Sequence, residues 1–485
     1  MKPIYVYIAI AIWAVVGLFI AQLARKRMGK GIPEFYIGGR KIGGFISGMT
    51  YAATTYSAFM MVGLVGLTYT SGVAALGFEL TYLIFTMFFL FLFAPRFWAA
   101  GKKYNYTTPP DLLADRYESD YVGMIASILA LVMLIPYASV QLMGAGYLFN
   151  GLTGGQIPYM WGVFAMAIFS GITAFWAGFR SVSWTDAFQA ITMLVTSLIL
   201  LFFVFYHFFG SPIEFISTIS TQNPELLKIN WSFKRFLGLS LPWAFFALSN
   251  PQVSQRMFVS ENIASLKRMI IYFSIFGFIY TIITTLLGFS AANILPGLEV
   301  ADQAMPALLK KVPISLGLIV FVGIFAAATS TLGSIILTLS SLGTENIVKP
   351  LKPEISENTR IFIGRIIILG LLIICVGFSA LKFNLIAILS SMASGGLLIS
   401  VPAFFGAFFW REGTDIGAIW SIIIGGTITG ALYISGWNPF GWWPPIWGLL
   451  ISTSIFIGLS LITETPEKAD EFINHLEKEI DKHNF

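Results

Sequence analysis

Charge is what this chain has least of. Of its 485 residues, 11% are Asp, Glu, Lys or Arg, where soluble domains carry about 25%. So few charges cannot cover a water-facing surface of this size, and soluble enzymes and soluble binding modules are excluded. Cysteine is nearly absent too. The one example, Cys375, lies in an apolar run, so no intramolecular disulfide can form and the thiol reads as inert packing. The three histidines, His207, His475 and His483, are too scattered for a haem pair or a transition-metal site. No phosphate-cradling loop with a following lysine is present, so ATP-driven chemistry and organic cofactors are not expected. The net charge of +5 comes from basic residues between apolar runs and makes no case for nucleic acid.

What is present is length of apolar chain. Hydrophobic residues make up 56%, phenylalanine alone counts 45, and the mean hydropathy is +0.80. A helix needs about 20 apolar residues to cross a bilayer. Thirteen such runs are expected, near 4–24, 43–71, 77–95, 122–149, 157–179, 186–208, 236–256, 268–294, 313–345, 361–380, 383–410, 416–436 and 443–462. The first is full length without a small-residue cleavage site, which reads as a retained helix. Alternate connections divide the 29 basic residues unevenly. Lys2, Lys228, Lys234, Arg235, Lys310, Lys311 and Lys382 fall on one side and the other 22 on the opposite side, Arg256 counted among them. By the positive-inside rule the N-terminus lies outside and the C-terminus in the cytoplasm. The polar tail 463–485 repeats Phe472, Leu476 and Ile480 every four residues, which gives a short cytoplasmic amphipathic helix. The transmembrane unit is thus 1–462.

Two of the runs are not plain anchors. Run 43–71 is rich in glycine and hydroxyls, and run 236–256 is interrupted at Ser249-Asn250-Pro251-Gln252. Pro251 removes a backbone donor and frees a carbonyl, which is tolerated in a membrane only where the loose backbone lines a cavity or faces protein. The second and seventh runs are five helices apart, the pattern of an inverted-repeat transporter. The repeats would span about 43–208 and 236–410.

Run 313–345 carries Ala327, Ser330, Thr331, Ser334, Thr338 and Ser341 at helical spacing, a small hydroxyl-bearing stripe. Such a stripe serves either close helix packing with hydroxyls bonded back to the preceding turn, or a sodium site. Sodium is a hard cation, and hydroxyls with freed carbonyls supply oxygen without fixed charge. Carbonyls near Ala53 and Tyr56, at a break in run 43–71, would complete it. Asp186, at the start of its run, either caps a helix or holds a cation or proton. Glu79 is a weaker candidate for the same cation or proton role; near an outer end, it reads first as a snorkelling surface carboxylate. Thr54, Ser57, Tyr137, Gln141, Trp243, Asn250 and Pro251 lie at or beside the breaks, or beside Pro136; singly, Tyr137, Gln141, Trp243 and Asn250 read as helix packing or an interfacial belt, and as a set these residues would line a solute pocket.

These stretches resemble the sodium/solute symporter family over about residues 5–460. The resemblance rests on Gly38-Gly39-Arg40, Thr108-Pro109-Pro110-Asp111 with Arg116-Tyr117, Gly178-Phe179-Arg180-Ser181-Val182-Ser183-Trp184-Thr185-Asp186, Asn250-Pro251-Gln252 with Gln255-Arg256, and Ala326-Ala327-Ala328-Thr329-Ser330-Thr331-Leu332. It implies an all-α, leucine-transporter-like fold of five-plus-five inverted repeats with added helices at both ends. It further implies that Ala53, Tyr56, Ala327, Ser330 and Thr331 hold the coupling sodium. In some members the aspartate matching Asp186 holds a second sodium with further hydroxyls of the ninth helix. Ser334 fits that pattern, but Gly333 stands where those members have a hydroxyl. Family members specific for proline carry an aspartate where this chain has Thr55 and a tyrosine where it has Ala247, although Trp243 and Pro251 match. The expected activity is sodium-coupled uptake of an amino acid such as proline or a carboxylate such as pantothenate, with one chain sufficing for transport. The rivals are proton coupling through Asp186 and, more remotely, a membrane sensor that binds solute without moving it.

Overall fold

The computed structural model describes residues 1–382 and 386–483. Among them 84% are helical and no strand forms. One parallel bridge pairs Ile42 with Ser260. Ten helices are long and apolar enough to cross a membrane, or eleven if a bent pair counts as one span. They are α1 (Pro3–Arg25), the bent pair α2a (Gly44–Thr55) and α2b (Phe59–Ser71), α3 (Val73–Tyr104), α4 (Asp120–Thr153), α5 (Tyr159–Trp176) and α6 (Gly178–Phe209). After these come α8 (Ile263–Ile294), α9 (Ile314–Leu351), α10 (Glu357–Ala380), α11 (Ile388–Phe409) and α12 (Asp415–Ser435). The two remaining expected runs are also helical. One, α7, comes in pieces: Phe233–Ala244, Phe246–Ser249, Pro251–Ser254 and Gln255–Phe258. The other, α13, is the shorter helix Pro444–Ser460. The tail forms the amphipathic helix α14 (Ala469–Lys482). Its Phe472, Ile473 and Leu476 are buried, and Phe472 stacks on Tyr104 at 5.6 Å.

Several boundaries differ from the sequence expectation. The connection expected at 180–185 does not exist as a loop. Chain direction changes at Gly178 alone, whose φ of 60° lies in the left-handed region. A Cβ there would stand 2.7 Å from the Phe35 carbonyl, so only glycine fits the turn. Residues 383–385 of the expected eleventh run lie outside the described residues.

Depth of burial separates scaffold from periphery. In α9, 89% of the apolar window is buried, against 22% in α1. The buried face of α9 carries Ala326, Ala327, Ala328 and Gly333 beside its hydroxyls. Small side chains let neighbouring backbones come close, which is how helices associate where lipid removes the hydrophobic drive. The same device joins α2a to α8, where a Cβ on Gly48 would meet Tyr272 Cβ at 2.7 Å.

Candidate functional site

The break in α2 sets up the first half of the site. Tyr56 is extended (φ −96°, ψ 104°), so its carbonyl turns off the helix axis, and α2b leaves at 51° to α2a. The start of the second half needs outside acceptors for its amides. Gln141 Oε1 accepts from the Ala58 amide at 3.2 Å, and Ser57 Oγ accepts from the Phe59 amide at 3.2 Å. Gln141 and Ser57 are therefore structural supports of the break as well as expected pocket residues.

The α9 stripe faces that break. Ser330 Oγ donates to the Ala53 carbonyl at 2.8 Å, and Thr331 Oγ1 donates to the same oxygen at 3.0 Å and to the Thr54 carbonyl at 3.3 Å. Ser330 Oγ also lies 2.9 Å from the Ala327 carbonyl. Ala53, Ala327, Ser330 and Thr331 thus come together across 277 residues of sequence, in a notch buried from solvent. The fifth expected ligand, the Tyr56 carbonyl, belongs to the extended residue next to it.

Beside the notch lies a buried ion pair. Asp186 sits two turns inside α6, so the capping alternative is set aside. Its Oδ2 accepts from Thr50 Oγ1 at 2.6 Å, Arg256 Nη2 at 3.3 Å and Ser334 Oγ at 3.4 Å. Asp186 and Arg256 side chains are each 1% exposed. The guanidinium also donates to Thr50 Oγ1, the Ser334 hydroxyl and the Gln252 carbonyl, and lies over the Phe179 ring at 5.3 Å. Arg256 is no loop cation, as the charge count had it: the broken α7 carries it into the core. Thr54, expected to line the solute pocket, instead turns its hydroxyl to Ser334 at 3.0 Å. At Gly333 a Cβ would meet nothing within 4 Å, so open space stands where the relatives described above carry a hydroxyl.

Trp243 anchors an aromatic chamber on the other side of the break. It stacks on Phe59 (4.9 Å) and Phe246 (5.1 Å), meets Tyr82 edge-on at 5.4 Å and Tyr137 at 6.3 Å, and donates its indole N–H to Ser391 Oγ at 2.8 Å. Tyr137 and Trp243 therefore meet as expected. Asn250 is extended at the α7 break, takes a hydrogen bond from Ser249 at 3.0 Å, and leaves Nδ2 buried without a partner among the described residues. Pro251 opens the next helical piece and lines a small cavity with Pro109, Leu397 and Phe404. Glu79 corrects the sequence reading. It is fully buried on α3, one turn before Tyr82, and neither carboxylate oxygen has a hydrogen-bond partner among the described residues. Phe59, Phe246, Ser391 and Arg256 were missed as chamber or network residues. The arginine inside an apolar run next to Pro251-Gln252 was the available signal.

Two broken spans around a buried, oxygen-lined notch define a secondary transporter of the membrane. The chain belongs to the Sodium:solute symporter family, whose model matches residues 35–425. It is 24% identical to the sodium/proline symporter of Escherichia coli over 477 residues, covering 93% of this chain and 92% of that one. It is 26% identical to the sodium/pantothenate symporter of Haemophilus influenzae over 436 residues, covering 87% and 88%. Its fold matches a solved sodium-coupled sialic acid symporter with a TM-score of 0.82 at 17% identity, over 95% of this chain and 98% of that one. The leucine-transporter-like architecture expected from the resemblance is therefore the architecture of this protein.

Proposed function

We propose that this protein carries sodium and a small organic solute into the cell together, by alternating access, with the sodium held by the carbonyls of Ala53, Tyr56 and Ala327 and the hydroxyls of Ser330 and Thr331. The observation that carries this reading is the convergence of two α9 hydroxyls on a backbone oxygen at the α2 break. Hydroxyls can turn their lone pairs to a cation while the loosened carbonyls supply the rest of its shell, with no fixed charge to neutralise. Sodium would then tie α2 to α9 and shape the adjoining chamber, so that each ligand raises the affinity of the other by the same factor. One charge crossing 100 mV is worth about 2.3 kcal/mol, which by itself sustains a solute gradient of roughly 50-fold. The repeats about 43–208 and 236–410 would be the two halves that exchange conformations, with the N-terminus outside and one chain sufficient.

Asp186 and Arg256 favour a single sodium. The guanidinium already supplies positive charge to the carboxylate, and Gly333 adds no oxygen. The same pairing counts against Asp186 as proton carrier. The unpartnered Glu79 carboxylate beside the aromatic chamber favours a solute with a cationic or hydrogen-bond-donating group, which points to an amino acid ahead of a simple carboxylate. The test is a thermal-shift screen of the purified protein against amino acids, carboxylates, vitamins and sugars, each in sodium and in potassium. A solute that stabilises only in sodium, and whose uptake into proteoliposomes needs an inward sodium gradient, supports the reading. Uptake driven equally by a proton gradient without sodium would refute it.

A further inference from the structure

The hydroxyl stripe of α9 does not stop at the notch. Ser334, Thr338 and Ser341 continue it, and past Ser341 the helix loosens into a π-turn over Leu342–Val348. That turn delivers Glu345 and Asn346 to a cavity of about 770 Å³, also lined by Thr107, Asp111, Asp115 and Lys349. Asn346 donates to Asp111 at 2.7 Å and accepts from Thr108 at 2.8 Å. Oxygen-bearing groups therefore run from the notch towards the basic end of the bundle.

One side chain interrupts the run. Gln255, at the end of the broken α7, is 1% exposed. Its amide nitrogen donates to the Thr107 carbonyl at 2.8 Å and to Ser341 Oγ at 3.1 Å, and its amide oxygen accepts from Thr338 Oγ1 at 2.7 Å. It thus joins α7, the α3–α4 connection and α9 at one point. Thr107 faces the cavity on one side of it. On the other, the neighbouring Arg256 reaches Ser334 and Asp186.

We propose that Gln255 is the latch of the inner gate. While its three hydrogen bonds hold, the polar run between the notch and the inner cavity is shut. When α7 moves off α9, Gln255 and Arg256 leave together, and the cation descends past Ser334, Thr338 and Ser341 to the carboxylates of the cavity. Gln255 is a positioning residue that sets the closed population of the gate. This rests on the alternating-access reading above.

The test uses the full chain with Cys375→Ala and a reporter, Gly333→Cys, whose side chain enters the open space next to Ser334. A membrane-impermeant maleimide is applied to vesicles of each orientation. Gln255→Met keeps the length and removes all three hydrogen bonds. Since one hydrogen bond is worth a factor of up to about 10 in an equilibrium, labelling from the inner face should rise at least tenfold, with no rise from the outer face. Thr338→Val removes one bond from the opposite side and should give a smaller rise, about threefold. It keeps the proposal testable if Gln255→Met fails to insert. Unchanged inner-face labelling in inserted protein, or an equal rise from both faces, would overturn the latch. Sodium-driven uptake of the solute that stabilises the protein in sodium is measured in parallel vesicles with the native chain, free of the reporter. Its failure would refute the transport reading, while the labelling ratio still decides the latch.

Discussion

Thr331→Val removes one oxygen from the proposed sodium shell and little else. Valine keeps the branched shape and volume, so packing in α9 is preserved. The lost hydroxyl is the one 3.0 Å from the Ala53 carbonyl and 3.3 Å from that of Thr54. A hydrogen-bonding group facing an ion is worth about 1.5–3 kcal/mol, so the sodium dissociation constant should rise about 10- to 150-fold. The variant also leaves the Thr54 carbonyl short of a partner, which lowers stability in any salt. The informative quantity is therefore the difference in melting temperature between sodium and potassium buffers. Sodium at 100 times its dissociation constant stabilises the native protein by about 2.7 kcal/mol, and Thr331→Val at the same concentration should lose about half of that increment at a 10-fold weaker site and nearly all of it at a 150-fold weaker one. Thr331→Ser, which keeps the hydroxyl, should retain it. An equal sodium increment in Thr331→Val and the native protein would refute the assignment of Thr331, and with Ser330→Ala behaving alike would remove the site.

Other outcomes follow from the neighbouring groups. Arg256→Met leaves Asp186 buried and uncompensated and should destabilise by about 3–5 kcal/mol, while Asp186→Asn with Arg256→Met should recover a large part, since loss of both charges ends the mismatch; chemical denaturation of the single and double variants checks this. Glu79→Gln should raise the melting temperature in the absence of solute and weaken solute binding at least tenfold, read by the solute-dependent thermal shift. On the α8–α9 connection, buried Asp302 accepts the Ile386 amide at 3.0 Å, and burial pushes its carboxyl up to about 6 from 3.8. The folded state therefore binds the proton more tightly than the unfolded chain, and stability gained from this group appears as pH falls through 6 towards 4. Asp302→Asn should melt higher than the native protein at pH 7.5, with the difference vanishing near pH 4.

The parts of this site that could be read from sequence are those with local signatures. The Ser330-Thr331-Ser334 stripe shows itself by helical spacing, and the breaks in α2 and α7 by glycine, hydroxyls and Pro251. What the sequence hid is direction and partnership. Hydropathy places Glu79 in an apolar stretch but does not say that its face of α3 turns inward to Tyr82 and Trp243. Arg256 was counted with the loops because its partner, Asp186, lies 70 residues away. The expected loop before Asp186 vanished because one glycine, Gly178, turns the chain without it. In each case tertiary packing, which periodicity does not encode, decided the outcome.

The most direct test of the central claim is a pair of structures at high resolution, one in saturating sodium and one in choline. A density feature is expected in sodium alone, enclosed by the carbonyls of Ala53, Tyr56 and Ala327 and the hydroxyls of Ser330 and Thr331. Identical maps in the two salts, with both hydroxyls still bonded to the Ala53 carbonyl, would contradict it.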